Sequence, residues 1–183
     1  MIINNLSKNI ITDCQRDQPA AQKQLYEQYL PYVVGICRRF NIRSAELKDM
    51  VQEIFIETFV SIGNYNPKKG EFKYWLKSIA IHKILNQFRK NRIQFSNLAD
   101  LPNEDLPRTQ IKLENLNAKY LTRLIAELPD GYRTVFNLYV IDGYSHKEIG
   151  EMLAISASAS RSQLSRAKQL LQTKITQLRQ HEP

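Results

Sequence analysis

Apolar residues recur every three or four positions along most of this chain, and that period restricts it to a helical fold. In the first half, one helix face is formed by Leu25, Tyr29, Val33, Ile36 and Phe40. Comparable spacing is found in residues 44–62, 72–92, 114–128, 131–143 and 157–179. No segment alternates apolar and polar residues as a half-buried strand does. We therefore predict an all-α protein.

An acidic stretch with two prolines divides these helical segments into two groups. Residues 93–115 hold four acidic and two basic side chains, and Pro102 and Pro107 prevent a continuous helix. We interpret the stretch as a flexible acidic linker between two small helical domains, residues 1–92 and 116–183. A chain of 183 residues is long enough for two such domains.

Positive charge is concentrated in one segment of the chain. The formal net charge is +8, and residues 61–92 alone carry eight basic side chains and one acidic side chain. Proteins with this charge commonly bind a polyanion, most often nucleic acid. A basic surface without any such partner is the simpler alternative.

The same basic segment also contains aromatic residues, namely Tyr65, Phe72, Tyr74 and Trp75. Aromatic rings can stack on unpaired bases while lysines hold the phosphates, a combination that suits single-stranded nucleic acid. The alternative is that Phe72 and Trp75 belong to the core and the lysines are solvated. The residues alone favour neither interpretation, although Trp75 is more typical of a core position.

Residues 145–168 have the pattern of a helix-turn-helix. Ser145 is followed three residues later by Glu148, a capping box that begins one helix, and Ser156 can cap the next helix from Ala157. The open face of the second helix would carry short polar and basic side chains suited to a DNA groove: Ser158, Arg161, Ser162, Ser165, Arg166 and Lys168. An ordinary helical hairpin with solvated charges is the alternative. The run Ala157–Ser160 has no long side chain to contact a base.

Several other classes of protein are not indicated. No stretch approaches the roughly 18 consecutive apolar residues of a membrane span, and the first ten residues do not resemble a secretory signal. Cys14 and Cys37 form no CxxC pair, so we expect free thiols in a reducing, cytoplasmic setting. No nucleotide-binding, hydrolase or zinc motif is present, so we expect neither an enzyme nor a cofactor.

Three acidic residues spaced by four, Asp49, Glu53 and Glu57, share one helix face. Carboxylates on one face can bind a metal, but no histidine lies near them in the sequence, so we predict no metal site. Such a face more commonly meets solvent or a basic partner.

With these features placed, the sequence resembles sigma factors of the sigma-70 family, in the extracytoplasmic-function group. Four stretches between about residues 20 and 175 carry the resemblance: LYEQYLPYVVGICRRF, DMVQEIFIETFVSIGNYNP, GEFKYWLKSIAIHKILNQFRKNR and LPDGYRTVFNLYVIDGYSHKEIGEMLAISASASRSQLSRAKQLL. The first three are similar to the sigma-2 domain and the last to the sigma-4 domain. The combination of DMVQEIF, WLKSIA and LSRAK is specific to the family.

The resemblance implies a role for each feature. A set of mainly acidic residues would bind the clamp helices of the polymerase β′ subunit: Asp49, Gln52, Glu53, Phe55 and Glu57. The loop 63–71 and the helix after it would capture the opened minus-10 element through Asn64, Tyr65, Lys68, Lys69, Lys73, Trp75, Lys77, His82 and Lys83. The acidic linker would follow the RNA exit path, and the helix-turn-helix would bind the minus-35 duplex.

The partners that the resemblance implies are core RNA polymerase (the β′ clamp helices and the β flap), promoter DNA and an anti-sigma factor. Some positions depart from the family pattern. His82 stands where Asn is common, Asn86 where Asp is common, and Ser158 and Ala159 where Gly and Thr are common. Ala154 replaces a frequent turn glycine, which is unfavourable if the position has a positive φ.

Two other functions are compatible with basic helical modules. A stand-alone dimeric helix-turn-helix regulator would bind palindromic sites without polymerase. A pure interaction protein would have no salt-dependent affinity for DNA.

Overall fold

The computed structural model of the protein describes residues 8–90 and 118–179. Within these ranges every regular element is helical, which confirms the predicted all-α class. The α-helices are α1 (Lys8–Gln15), α2 (Pro19–Arg39), α3 (Ser44–Ser61), α4 (Phe72–Lys90), α5 (Ala118–Ala126), α6 (Asp130–Phe136), α7 (His146–Leu153) and α8 (Ala157–Arg179). The predicted linker lies outside the described residues, so the boundaries 1–92, 93–115 and 116–183 stay a prediction.

The molecule divides into two compact units, residues 1–87 and 88–183. In the first unit, α1 packs on α2 and α2 packs on α3. The five periodic apolar residues of the α2 segment are all buried, as their spacing predicts. Pro31 lies inside α2 without dividing it, so this is one helix of 21 residues.

The start of α3 differs from what its sequence suggests, whereas its buried face agrees with the apolar spacing. Ser44 is a residue type that favours the cap position, but here it is the first helical residue; Arg43 precedes it and pairs with Glu46. Leu47 is only half-buried, whereas Met50 is buried. Val51, Ile54, Phe55 and Thr58 are also buried, so the buried stripe follows the apolar spacing of residues 44–62.

Two short 3₁₀ turns, Ile62–Asn64 and Pro67–Lys69, connect α3 to α4. Gly70 follows with φ +147°, a conformation that a residue with a side chain rarely adopts. The rings of Tyr29, Tyr65 and Phe72 meet edge to face with centroids 5.3 Å apart for each neighbouring pair. These aromatic contacts fix the loop and the first turn of α4 against α2.

In the second unit, α5, α6 and α7 all pack on α8. The single helix predicted over residues 131–143 is instead α6 followed by a π-helical segment, Asn137–Ile141. Three consecutive apolar residues of this segment are exposed: Tyr139, Val140 and Ile141.

Arg133 is buried in the second unit and joins α5 to α6. Its guanidinium donates to the carbonyl oxygens of Ala126 (3.0 Å) and Leu128 (2.6 Å) and pairs with Asp130. The cation thus satisfies the last carbonyl of α5, which the helix leaves without a partner, and the carbonyl of Leu128 two residues beyond the helix end.

In the two ranges that the structure describes, no helix has the length and apolar character needed to cross a membrane.

Candidate nucleic-acid interface and docking face

The predicted helix-turn-helix is present, and local hydrogen bonds define it. The Ser145 hydroxyl accepts from the Glu148 N–H (3.3 Å), and the Glu148 carboxylate accepts from the Ser145 N–H (2.8 Å), which confirms the capping box. Ala154 ends α7 in the left-handed conformation, with φ +55° and ψ +43°. Its positive φ is the condition under which alanine is less favourable than glycine.

A glycine allows the turn to approach α7 closely. A Cβ atom on Gly150 would lie 2.7 Å from the carbonyl oxygen of Ile155. The N–H of Ile155 bonds back to the Gly150 carbonyl at 3.0 Å. The turn is therefore folded tightly against a helix position without a side chain.

The small residues at the start of α8 have structural roles as well as exposed positions. Ser156 caps α8 by accepting from the Ala159 N–H (2.9 Å), as predicted. Ser160 is completely buried, and its hydroxyl lies 2.9 Å from Nδ1 of His146. The His146 ring also stacks on Tyr139, with centroids 4.3 Å apart. Within the run Ala157–Ser160, Ser160 thus anchors the recognition helix to α7.

The proposed minus-35 residues lie together on the outer side of α8. Ser158, Arg161, Ser165 and Lys168 are exposed, and Ser162 and Arg166 are half-buried beside them; the opposite side is buried and consists of Gln163, Leu164, Ala167, Leu171 and Ile175. Partial burial, with smaller effects from Arg161 and Lys168, lowers the pKa of His146 below 6.5. The neutral imidazole is therefore favoured next to this basic face.

The proposed minus-10 residues do not form one surface. Lys73 and Lys77 lie on one side of α4, whereas His82, nine residues after Lys73, lies on the opposite side, since a helix turns about 100° per residue. Lys83 makes an ion pair with Glu57 of α3, with 2.9 Å between Nζ and the carboxylate. Asn64, Lys68 and Lys69 are exposed in the connecting loop.

Two predicted minus-10 residues are held in aromatic packing. Tyr65 is 9% exposed, and its hydroxyl donates to the Gly70 carbonyl at 3.0 Å. Trp75 is half-buried, with ring centroids 5.6 Å from Tyr65 and 5.4 Å from Phe72. In this conformation Tyr65 has no ring face open to a base, because the core occupies it.

An exposed ring that the sequence assignment left out is Tyr74, which is 57% exposed. The Nζ atom of Lys77 lies 5.6 Å from its ring centroid, and that of Lys73 lies 5.2 Å from the ring of Tyr32. Tyr74 had been noted only as one aromatic residue among lysines. The sequence signal for its exposure was its position. Tyr74 lies between the apolar residues Phe72 and Leu76 but on a different face of the helix.

The proposed docking residues of α3 separate into an exposed and a buried group. Asp49, Gln52 and Glu53 are exposed on one side. Phe55 is 3% exposed and packs its ring 4.6 Å from that of Tyr26, so it faces the core. Glu57 turns toward Lys83.

Two apolar residues extend the exposed side of α3. Ile56 is 62% exposed and Val60 is 79% exposed. At about 100° per residue, both lie within about 60° of Asp49 around the helix axis. The sequence signal would have been two apolar residues outside the buried stripe.

In the described ranges, neither a metal site nor a reactive cysteine is indicated. In residues 8–90 and 118–179, no three His, Cys, Asp or Glu side chains are placed to hold a metal ion together. Burial raises the pKa of Cys37 to about 12, which keeps it a thiol at neutral pH.

Comparison with known proteins gives two family matches in chain order. Residues 25–93 match sigma-70 region 2, and residues 118–171 match sigma-70 region 4. The chain is 30% identical over 168 residues to the ECF RNA polymerase sigma factor SigE of Mycolicibacterium smegmatis, covering 88% of this chain and 65% of SigE. It is 26% identical over 185 residues to the ECF RNA polymerase sigma factor SigW of Bacillus subtilis, covering 93% of this chain and 97% of SigW.

A solved structure shares the fold. The sigma factor RpoE of Bartonella quintana, in complex with the anti-sigma factor NepR, aligns with a TM-score of 0.51 at 18% identity. The alignment covers 84% of this chain and 96% of RpoE.

Proposed function

Because this chain belongs to the sigma-70 family, in its extracytoplasmic-function group, we propose that it binds core RNA polymerase and directs transcription initiation at specific promoters. The observation that carries this proposal is the presence of both family regions in one chain and in order, residues 25–93 and then 118–171. SigW, which aligns with 93% of this chain, is named as a sigma factor of the same group.

Polymerase binding is assigned to the exposed side of α3. Asp49 and Glu53 supply negative charge, and Gln52 lies beside them. Ile56 and Val60 continue the side as an apolar strip, so the partner surface should be basic at one end and apolar at the other. The β′ clamp helices are the partner proposed for this face. Phe55 and Glu57 support α3 from within.

The proposal is tested by reconstitution with core polymerase and sequencing of the upstream regions of the transcripts. Transcripts should share a paired upstream motif, and the Asp49→Lys/Glu53→Lys double variant should lose polymerase in a pull-down. Glu27→Lys, an exposed acid on α2, is the matched control and should retain it. Transcripts without any shared motif would contradict the proposal.

DNA recognition is divided between the two units. The outer side of α8 is proposed to bind the minus-35 duplex, with Arg161 and Arg166 as the long-reaching contacts and Ser158, Ser162, Ser165 and Lys168 close to the backbone. The exposed loop residues Asn64, Lys68 and Lys69, with Lys73 and Lys77, are proposed to hold the minus-10 strand. The free energy of these contacts is proposed to open the DNA. The covalent chemistry of transcription is assigned to the polymerase.

Three further points belong to this proposal. The exposed apolar segment Tyr139–Ile141 suits an apolar partner surface, for which the β flap is proposed. An anti-sigma factor is proposed as an inhibitory partner, as RpoE has in its complex with NepR. The protein is proposed to act in the cytoplasm, where promoters and polymerase are found.

The stand-alone dimeric regulator is not favoured. It would bind palindromic DNA without polymerase, and the α3 charge reversal would leave its activity unchanged. No relative named above is a regulator of that kind.

A further inference from the structure

The recognition helix α8 is attached to α7 by hydrogen bonds at two separate places. At the turn, the Ile155 N–H donates to the Gly150 carbonyl at 3.0 Å. At the end of the first turn of α8, the hydroxyl oxygen of Ser160 lies 2.9 Å from Nδ1 of His146, the first residue of α7. The turn fixes the point at which α8 begins. Because two points define a direction, the second attachment fixes the angle between α8 and α7.

The His146 side chain is held in one orientation by contacts on three sides. Its backbone follows Ser145, whose capping box with Glu148 fixes the first turn of α7. Its ring stacks on Tyr139, with centroids 4.3 Å apart and an angle of 19° between the ring planes. Its Nδ1 atom meets Ser160, which is 0% exposed. A ring restrained by both a stack and a hydrogen bond serves as a rigid support for α8.

The bond to Ser160 restrains the angle of α8 more strictly than apolar packing does. Buried apolar residues of the two helices include Ile149, Leu153 and Leu164. Apolar contact is non-directional, whereas a hydrogen bond weakens steeply as its angle and length depart from the optimum. Partial burial lowers the pKa of His146 below 6.5, so the ring is neutral at pH 7 and can pair with a hydroxyl in either tautomer.

The attachment point lies directly behind the outer side of α8. Ser160 precedes the exposed Arg161 and lies between Ser158 and Ser162, which belong to the same outer side. A tilt of α8 at Ser160 therefore displaces these side chains together. Hydrogen bonds to base edges require side chains at defined positions, whereas charge attraction to phosphates tolerates a displaced helix. The angle of α8 thus affects base contacts more than phosphate contacts.

We propose that His146 is a positioning residue for minus-35 recognition, because its bond to Ser160 holds α8 at the angle that base contacts require. The proposal rests on the function proposed above and adds a residue outside the outer side of α8. In this role the imidazole acts through α8 and does not itself touch DNA. A direct contact between the ring and DNA is the competing explanation and is one outcome of the test.

The test uses holoenzyme assembled from core polymerase and the full chain, with two duplex probes. One probe carries the mapped promoter, and the other carries the same promoter with its minus-35 element scrambled. Ser160→Ala removes the hydroxyl, His146→Phe keeps a ring for the stack without Nδ1, and the double variant combines them. Ile175→Val trims a buried side chain near the far end of α8 and is the matched control for a loss of stability.

We expect Ser160→Ala and His146→Phe each to weaken binding to the intact promoter by about 2- to 10-fold, since the lost hydrogen bond no longer favours the competent angle. The double variant should bind about as tightly as the weaker single variant, because both substitutions remove the same bond. Binding to the scrambled probe should stay within about 2-fold of the parent in every variant. Ile175→Val should stay within about 2-fold on both probes while its thermal midpoint falls.

Three results would overturn the inference and leave the sigma-factor function intact. The first is parental affinity of Ser160→Ala for the intact promoter, or losses that add fully in the double variant. The second is an equal loss of His146→Phe on both probes, which would assign the ring to a direct DNA contact. The third is an equal loss in Ile175→Val, which would assign the effect to stability. A parent protein that neither binds core polymerase nor selects a promoter would instead remove the proposed function itself.

Discussion

Ala154 occupies a position at which a smaller residue should improve the fold. It ends α7 at φ +55° and is exposed, so replacing it with glycine removes little packing. A left-handed conformation costs an alanine about 1–2 kcal/mol, and the greater freedom of glycine in the unfolded chain offsets about 0.5–1 kcal/mol of the relief. Ala154→Gly should therefore stabilise the second unit by roughly 0.5–1 kcal/mol.

The effect is measured by thermal unfolding of the full chain. For a unit of this size the transition that includes α7 and α8 should rise by roughly 2–8 °C. Ala159→Gly is the matched control, because Ala159 lies in the right-handed first turn of α8, and it should lower the same transition. If both variants lower the midpoint, the argument from backbone conformation is wrong.

The other predictions concern the same unit. Arg133→Met should destabilise it by about 2–3 kcal/mol in chemical denaturation, because the carbonyls of Ala126 and Leu128 lose their donor; an unchanged midpoint would contradict that role. Arg161→Ala should weaken minus-35 binding by about 1–3 kcal/mol in a footprint titration, and unchanged affinity would count against the assigned face of α8. Hydrogen bonds from Ser145 lower the pKa of Glu148 below 4.5, so the stability it contributes is present above pH 4.5 and is lost as the pH falls through the lower folded pKa. The lowered pKa of His146 has the same sign, so stability should begin to fall below pH 6.5, and His146→Phe should abolish that first decrease in a pH series of urea unfolding.

Local signals in the sequence predicted the elements that depend on near neighbours. The capping box at Ser145 and the cap at Ser156 need only residues three positions away, and both form. The α2 stripe from Leu25 to Phe40 was also correct, since five apolar residues at helical spacing leave one side to bury.

The site residues were less predictable because their orientation depends on distant packing. Phe55 lies three residues after the exposed Gln52, but the neighbouring ring of Tyr26 holds it in the core. From the sequence, Tyr65 was a plausible stacking residue. In the structure its ring packs against Phe72, and its hydroxyl donates to the Gly70 carbonyl. Conversely, the position of Val60 outside the buried stripe of α3 could have indicated its exposure, and that signal was missed.

The burial of Ser160 divides the first turns of α8 into two kinds of position. Ser156 and Ser160 are committed to the helix start and to His146, whereas Ser158, Arg161 and Ser165 face outward. Substitutions at the outward positions can change DNA preference without a folding defect. Substitutions at the committed positions change the stability of the fold, so selection acts on their stability first. Promoter preference in descendants of this protein should therefore diverge through residues 158, 161 and 165 while Ser156 and Ser160 persist.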